Sequence, residues 1–295
     1  MSNDSEKTAH TALTAKAIAA AVSVASAQGV KIDDPQVLAN AYSLRVHLRP
    51  APIVARVSTI TSLLRPPIES WLAREISVAE FLASRGAPVV PPSDILPAIP
   101  HHYDGLTMTF WRYFQPISDA LPEQDVTGRM LAELHVMMRD YPGELPLLAP
   151  PLNDIPRGLE RLEQIGNILT ASDIRLLRET SERLLPQISN PMGSLQPLHG
   201  DAHALNLLPT AEGLLWNDFE DVCQGPIAWD LINLDDEGRA AYGDAPEPAI
   251  IELYRKVRQL HGIVWVFALL PEFPDWAEPV QAMLNDLRAQ EGDRV

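Results

Sequence analysis

Four side chains near residue 200 have the types and spacing that phosphoryl transfer requires. His199, Asp201 and Asn206 lie on one short segment, and Asp218 follows it closely. Phosphoryl transfer depends on positioning and charge neutralisation, with little covalent help from the protein. The Asp201 carboxylate can orient an acceptor hydroxyl, while oxygens of Asn206 and Asp218 suit a magnesium ion. The segment therefore predicts magnesium-dependent transfer of a phosphoryl group. His199 is expected to hold the loop in place through hydrogen bonds to backbone groups.

The phosphates of a nucleotide also need a cation, and an upstream strand offers one. Side chains alternate along the predicted strand 53–59, so Val54 and Arg56 share one face. In the predicted helix 68–84, Glu75 falls in the middle of the apolar stripe. A carboxylate buried there is costly unless it is paired, which makes Arg56 its natural partner. The alternative is that Glu75 lies at a rotated, solvated edge of the helix.

These residues must be positioned by a few strands followed by many helices. Strands are predicted over 38–48, 53–59, 106–114 and 214–217, helices over 6–28, 68–84, 123–139, 159–169, 172–187 and most of the chain from 228 onwards, and a proline-rich loop over 142–156. A tight turn at 49–52 favours antiparallel pairing of the first two strands. The order indicates an α+β chain of two lobes. We expect a small antiparallel-sheet lobe over 1–112, with an additional N-terminal helix, and a larger, mostly helical lobe over 113–295.

Composition excludes several classes of function. The 295 residues carry a formal net charge of −16, which argues against nucleic-acid partners and anionic membranes. The acidity suits a cationic small substrate or simply serves solubility. One cysteine permits no internal disulfide, and no segment has the length of a membrane helix, so a cytoplasmic location is expected. The weakly apolar run 17–25 lacks a preceding basic cluster and is interpreted as part of the first helix rather than a signal peptide.

Three motifs follow one another between residues 198 and 234. They are His199-Gly200-Asp201-Ala202-His203 with Asn206 and Leu208, then Asp218-Phe219-Glu220, then Gly225-Pro226 with Asp230-Leu231. In order and spacing they resemble the aminoglycoside phosphotransferase and choline kinase group of small-molecule kinases. The helix motif Leu131-Ala132-Glu133-Leu134-His135 is also common in that group. The resemblance implies a two-lobed, protein-kinase-like fold, with a nucleotide-binding N-terminal lobe and a catalytic, substrate-binding helical lobe.

The resemblance also implies roles for individual residues. Asp201 is expected to be the catalytic base, supported by His199. Asn206 and Asp218 are expected to bind Mg²⁺ on the nucleotide. Asp230 is expected to accept hydrogen bonds from amides of the catalytic loop. His203 is expected to be a structural histidine rather than a substrate contact.

The nucleotide-binding half is implied at positions further upstream. Val54 is expected over the base, Arg56 on the phosphates with Glu75 as its partner, and segment 110–114 as the hinge beside the purine. Two features depart from the group, which has lysine at position 56 and a glycine-rich loop before it. Here the corresponding turn reads Asn-Ala-Tyr-Ser and ends at Ser43, whose hydroxyl and neighbouring amides could cap a phosphate.

Two classes of function stay open at this point. The first is a kinase that uses ATP or GTP, together with Mg²⁺, to phosphorylate a hydroxyl of a small molecule. The second is a pseudokinase that binds a nucleotide or ligand without transfer, which the two departures would favour. A metal hydrolase would explain neither the Arg56 strand nor the hinge.

The acidic triplet 235–237 either lines a pocket for an amine-bearing substrate or is a solvated helix face.

Overall fold

A five-stranded antiparallel sheet forms the N-terminal part of the molecule, in the order β1-β2-β3-β5-β4. The computed structural model describes residues 2–191, 193–244 and 246–292. The strands are β1 (Ile32–Asn40), β2 (Leu44–Pro50), β3 (Ile53–Val57), β4 (His101–Tyr103) and β5 (Leu106–Arg112), accompanied by helices α1 (Ser2–Ala27) and α2 (Ile68–Ser84). Because β3 is paired on both sides, the strand that carries Arg56 is held at the centre of the sheet.

The alternation of side chains along β3 separates the two faces of the sheet. Ile53, Ala55 and Val57 are fully buried in an apolar core shared with the alanine-rich face of α1. Val54 and Arg56 point to the opposite face, where Arg56 contacts α2. One face of the strand therefore stabilises the lobe, and the other supplies side chains to the cleft.

The remainder of the chain is mostly helical, and the predicted α+β, two-lobed fold class is confirmed. Its helices are α3 (Gln124–Met138), α4 (Ala149–Ile165), α5 (Ala171–Ser189), α6 (Ala228–Leu231), α7 (Asp236–Tyr242), α8 (Pro248–Ala268) and α9 (Ala277–Gly292). Two short ribbons pair β6 (Gln196–Leu198) with β9 (Cys223–Gly225) and β7 (Leu207–Thr210) with β8 (Gly213–Trp216). α8 packs against α4, α5, α6 and α9 and so forms the centre of the helical core. No helix within the described ranges is long and apolar enough to span a membrane.

The predicted strand 38–48 is wrong because the chain turns within it. β1 ends at Asn40 and β2 begins at Leu44, so a hairpin turn occupies 41–43. The first part of β1 was not predicted, because its acidic residues and Pro35 are poor strand formers. β1 is an edge strand, however, and an edge tolerates proline since only one side of it is paired.

The predicted loop 142–156 is also wrong, since α4 already begins at Ala149. Pro150 and Pro151 occupy the first turn, where the backbone nitrogen has no intrahelical partner to lose. Pro156 lies further inside the same helix. The proline run therefore begins a helix instead of excluding one. By contrast, the predicted bounds of α2 agree with the structure.

Candidate active site

One buried carboxylate anchors the segment between β6 and β7. Asp230 accepts hydrogen bonds from the backbone N–H groups of His199 and Gly200, both at 2.8 Å, as the resemblance implied. Gly200 has φ of 87°, and a Cβ there would lie 1.9 Å from the carbonyl oxygen of Asp221, so only glycine fits. His135 on α3 completes the anchor, with its Nε2 atom 2.9 Å from Asp230. The backbone path of this loop is therefore determined by buried contacts.

His199 supports the loop from inside and lines neither of the cleft cavities described below. Its side chain is fully buried, and its ring packs against Trp216 and Phe219. Nε2 donates to the carbonyl oxygen of Asn217 at 3.1 Å, while Nδ1 accepts from the backbone N–H of Asp201 at 3.3 Å. Burial lowers the pKa of His199, so the imidazole stays neutral and keeps this tautomer.

Asp201 reaches the cleft with its side chain one third exposed, at 34%. Its Oδ1 atom accepts a hydrogen bond from Nη2 of Arg258 on α8 at 2.8 Å, and Oδ2 lies 3.2 Å from Nε2 of His203. Burial by itself raises the pKa of the Asp201 carboxyl, but the attraction of Arg258 and His203 outweighs it and holds that pKa well below its ordinary value. The carboxylate is therefore ionised and can orient a hydroxyl group.

Asp218 follows β8 in the left-handed conformation, with φ 65° and ψ 57°. Such a conformation costs on the order of 1 kcal/mol in a non-glycine residue and persists only where surrounding contacts hold it. Here Oδ1 lies 2.9 Å from Nη2 of Arg56, and Oδ2 lies 2.5 Å from Nη2 of Arg45. Burial raises the pKa of Asp218, but the two guanidinium groups outweigh it and lower that pKa below its ordinary value.

The oxygens of Asn206 and Asp218 are the candidate metal ligands. Nδ2 of Asn206 donates to the carbonyl oxygen of Asp201 at 2.9 Å. The side-chain amide oxygen of Asn206 is then the atom that could bind a metal. Among the described residues, no cluster of three or more His, Cys, Asp or Glu side chains is arranged to hold a metal. Magnesium instead takes one or two protein oxygens and completes its shell with phosphates and water. The donor set fits a magnesium ion that binds together with a nucleotide.

The predicted contact between Arg56 and Glu75 is present within a larger buried cluster. Nη1 of Arg56 donates to Oε1 of Glu75 at 2.6 Å, while Nη2 contacts both Asp218 and Glu220. One guanidinium thus faces three carboxylates. Burial raises the pKa of Glu75 to about 8, and the attraction of Arg56 only partly opposes it. Glu75 is 2% exposed, so the alternative of a solvated helix edge is wrong.

Changing Glu75 to glutamine is expected to remove a pH dependence of folding stability. In the folded protein Glu75 has a pKa of about 8 and keeps its proton, whereas the unfolded chain releases it near the ordinary value of about 4.3. The wild-type free energy of unfolding therefore falls as the pH rises from about 5 to about 8. Glu75→Gln mimics the protonated form at every pH. In urea unfolding, its free energy of unfolding relative to that of the wild type should therefore increase by on the order of 1–3 kcal/mol over that range.

The exposed Glu80 of the same helix provides the control for this measurement. Glu80→Gln should follow the wild-type pH profile, because its carboxylate is solvated in both states. A constant difference between Glu75→Gln and the wild type at both pH values would contradict the burial argument.

A second buried arginine, Arg65, extends the cluster and belongs to none of the motifs in the sequence. Arg65 donates from Nη2 to Asp154 at 2.8 Å and from Nη1 to Glu220 and Asp221 at 2.7 and 2.6 Å. Glu220 therefore bridges Arg65 and Arg56. The partners of Arg65 lie 89, 155 and 156 residues further along the chain. No local pattern in the sequence could have indicated this network.

Two cavities meet at the Asp218 carboxylate. The first has a volume of about 320 Å³, is largely apolar, and is lined among others by Val54, Val90, Trp111, Tyr113, Phe114 and Leu208. The second has a volume of about 280 Å³, contains Asp201, and is lined among others by Tyr42, Ser43, Thr61, Arg65, Arg258 and Trp265. Arg45, Arg56 and Asp218 line both. These ionic side chains thus form the border between the first cavity, called the apolar cavity below, and the second, called the polar cavity because many charged side chains line it.

The residues predicted to bind a nucleotide are divided between these cavities. Val54 lies in the first cavity and Ser43 in the second. Ser43 is buried, and within the described part of the chain its hydroxyl has no hydrogen-bond partner. The connection 110–114 borders the first cavity, as expected of a hinge. The backbone N–H of Tyr113, however, donates to the carbonyl oxygen of Pro52 at 2.9 Å, so this amide is already occupied.

Known proteins share this sequence pattern and architecture. The model of the phosphotransferase enzyme family matches residues 63–264. A choline/ethanolamine kinase family protein from Mesorhizobium loti superposes with a TM-score of 0.57 at 20% identity, over 94% of this chain and 95% of that chain. APH(2")-IIia, solved with GDP and kanamycin, gives a TM-score of 0.63 at 15% identity, over 91% and 98% of the two chains. The amicoumacin kinase hAmiN, solved with AMP-PNP, Ca²⁺ and Ami, gives 0.58 at 13% identity, over 93% of each chain.

The family match covers most of the residues that form the site, but not β2 and β3, which carry Arg45 and Arg56. It includes α2, the loop anchored by Asp230, the Asp218 turn and most of α8. No curated protein matches the sequence significantly. The solved structures extend the likeness of fold to about nine tenths of the chain. The chain therefore belongs to the phosphotransferase enzyme family and has the protein-kinase-like fold of small-molecule kinases.

Proposed function

We propose that the protein transfers the γ-phosphoryl group of ATP to a hydroxyl group of a small molecule in a Mg²⁺-dependent reaction. GTP is the alternative donor. The observation that carries the proposal is the meeting of an apolar cavity with a polar cavity at Asp218, with the ionised Asp201 in the polar one. A nucleoside triphosphate is a cytoplasmic substrate, so we propose that the activity is cytoplasmic.

The apolar cavity is the proposed site of the nucleotide base. Val54 on β3 and Leu208 on β7 approach it from the two lobes, so a planar ring would be enclosed between apolar side chains. Segment 110–114 borders its edge, as a hinge would. The phosphates would then extend towards Arg56 and Asp218. Two structural relatives were solved with nucleotides, GDP and AMP-PNP, which supports this assignment.

The polar cavity is the proposed site of the acceptor. Asp201 would hold the acceptor hydroxyl by a hydrogen bond and take its proton as the bond to phosphorus forms. His199, Gly200 and Asp230 contribute by fixing the loop, so His199 is proposed as a positioning residue. Asp218 and Asn206 would hold Mg²⁺, which when bound neutralises charge on the phosphates.

An amine-bearing acceptor remains part of the proposal, because a structural relative was solved with kanamycin, a compound that carries amino groups. Four carboxylates line the polar cavity, but each is paired there with an arginine and does not by itself favour a cation. They are Asp201, Asp218, Glu220 and Asp221. The acidic triplet 235–237 does not contribute to it. It lies outside both cavities, where Asp235 accepts a hydrogen bond from the backbone N–H of Gly238 and caps α7.

The nucleotide part of the proposal is tested by thermal unfolding with ATP or GTP, with and without Mg²⁺. A ligand at 100 times its dissociation constant stabilises the folded state by about 2.7 kcal/mol, so Tm should rise clearly when both are present. Asp218→Asn keeps the shape of the side chain but weakens metal binding, so it should lose the Mg²⁺-dependent part of the rise. Asp236→Asn, at a fully exposed carboxylate, should behave as the wild type. No rise with either nucleotide would contradict the proposal.

Transfer is then measured over a panel of amino sugars, amino alcohols and other hydroxyl-bearing metabolites. Labelled phosphate from ATP should appear on at least one class of acceptor. Nucleotide binding without transfer to any acceptor would instead favour the regulatory, pseudokinase alternative. The intact set of Asp201, Asn206 and Asp218 supports catalysis over that alternative.

A further inference from the structure

Arg45 on β2 spans the cleft between the two lobes at the border of both cavities. Its Nη2 atom lies 2.5 Å from Oδ2 of Asp218, which is 173 residues further along the chain. The Arg45 side chain is 39% exposed, whereas that of Arg56 is 8% exposed. A nucleotide that places its base in the apolar cavity and its terminal phosphate beside Asp201 must pass this guanidinium.

The two oxygens of Asp218 are each occupied by a different arginine. Oδ1 contacts Arg56 and Oδ2 contacts Arg45. A metal ion that binds Asp218 needs at least one of these oxygens, and a guanidinium at hydrogen-bond distance occupies one lone pair of that oxygen and repels the metal cation. Metal binding at Asp218 is therefore opposed as long as both arginines stay in place, and the withdrawal of either one would relieve this opposition.

Arg45 is the arginine that can withdraw. Arg56 is buried and is also held by Glu75 and Glu220. Among the described residues, Asp218 is the one carboxylate paired with Arg45, and the Arg45 side chain has access to solvent. Breaking a partly exposed pair costs far less than breaking a buried network.

The β1–β2 turn, which lies beside the proposed path of the phosphates, lacks a glycine-rich phosphate-binding loop. No glycine occurs between Gly29 and Gly86, so the β1–β2 turn has no glycine-rich loop to cradle phosphates. Tyr42 in that turn packs edge-on against the rings of Trp265, Phe273 and Trp276, at centroid distances of 5.1 to 5.8 Å, and is held in place. A guanidinium binds phosphate oxygens through two parallel hydrogen bonds.

We propose that Arg45 is a phosphate-binding residue that guards Asp218, meaning that it opposes metal binding at Asp218 until a nucleotide is bound. Without nucleotide it neutralises Asp218 and opposes the binding of a divalent metal ion. When a nucleotide binds, the Arg45 side chain moves from Asp218 to the phosphates, which leaves Oδ2 of Asp218 free to bind the metal. Metal and nucleotide therefore bind with positive coupling that depends on Arg45. The inference rests on the proposed nucleotide-dependent function and adds to it a specific residue and a binding order.

The variant Arg45→Gln separates the two roles, because they change affinity in opposite directions. Binding of Mn²⁺ alone, measured from the electron paramagnetic resonance signal of the free ion, should become about threefold to tenfold tighter, because the competing cation is gone. Binding of Mg²⁺-ATP, measured by calorimetry, should become about tenfold weaker or more. The loss should decrease from ATP to ADP to AMP and vanish for adenosine.

Two further variants control for charge and for folding. Arg49→Gln removes the same charge from the same strand at a similarly exposed pair with Asp34, and it should bind both ligands as the wild type does. Arg45→Lys keeps a cation beside Asp218, so its affinity for Mn²⁺ alone should stay near that of the wild type while its affinity for Mg²⁺-ATP falls. The thermal unfolding of every variant is recorded without ligand to confirm folding.

The inference is overturned if Arg45→Gln binds Mn²⁺ no more tightly than the wild type, or if its affinity for Mg²⁺-ATP is unchanged. An equal loss for adenosine and ATP would also overturn it, since the effect would then concern the base. These outcomes are distinct from a failure of the proposed function, in which the wild type itself binds no nucleotide. In that case the Mn²⁺ measurement still tests whether Arg45 guards Asp218.

Discussion

Asp201→Asn is expected to lower kcat for phosphoryl transfer by about 100-fold to 10,000-fold while leaving the dissociation constant of Mg²⁺-ATP nearly unchanged. The amide keeps the size of the side chain but accepts the acceptor's hydrogen bond less strongly and cannot take its proton. Asp201 also lies in the polar cavity, away from the apolar lining that would enclose the base. The measurement is a steady-state assay with the acceptor found in the panel, combined with calorimetry for the nucleotide.

The pH profile provides a second test of this assignment. Arg258 and His203 hold the pKa of Asp201 below its ordinary value of about 3.9. The carboxylate therefore stays ionised as the pH falls from about 8 to about 5, and kcat should show no loss in this range from protonation of Asp201. Asp236→Asn, outside both cavities, should retain full activity. An Asp201→Asn enzyme with more than about a tenth of the wild-type kcat would refute the base assignment.

Arg65→Met is expected to be the most destabilising of the substitutions considered, by about 3–5 kcal/mol. It removes the cation shared by Asp154, Glu220 and Asp221. Glu220 keeps Arg56 and Asp154 keeps His261, but Asp221 loses the arginine with which it is paired. The substitution also removes a guanidinium stacked between Trp71 and Trp265, at 4.2 and 4.7 Å from the ring centroids. Urea unfolding followed by intrinsic tryptophan fluorescence measures the loss.

An exposed ion pair provides the matched control for Arg65. Arg85 pairs with Asp140 at 2.9 Å, but both side chains are about half exposed or more, so Arg85→Met should cost less than about 1 kcal/mol. Combining Arg65→Met with Asp154→Asn should cost less than the sum of the two single changes, because each removes part of the same interaction. Equal losses for Arg65→Met and Arg85→Met would contradict the proposed energetic role of the buried network.

The sequence permitted a detailed prediction of the loop that carries Asp201 and Asn206 and of the nearby Asp218 turn, whose catalytic and metal-binding roles are proposed. The residue types that bear on this chemistry lie between His199 and Asp230, and their spacing is set by one tight loop, one ribbon and one turn. The same local reasoning predicted α2 correctly and placed Glu75 within its apolar stripe. Local reasoning failed at β1 and at the start of α4, where an edge position and a first helical turn made prolines acceptable. In both cases the tertiary context overrode the intrinsic preference of the residues.

The sequence by itself thus determined the chemical groups of the site and the order in which they are presented: Asp201 and Asn206 on the loop anchored by Asp230, and Asp218 at the turn that follows β8. Only the tertiary structure decided which cations oppose them. Arg45, Arg65 and Arg258 reach their carboxylates across 173, 89 to 156, and 57 residues of chain respectively. Electrostatic energy depends on distance and burial in space rather than on spacing along the chain. The counter-charges, and with them the pKa of Asp201, therefore become visible only in the folded chain, where Arg258 lies beside Asp201 and Arg45 reaches Asp218 from the sheet.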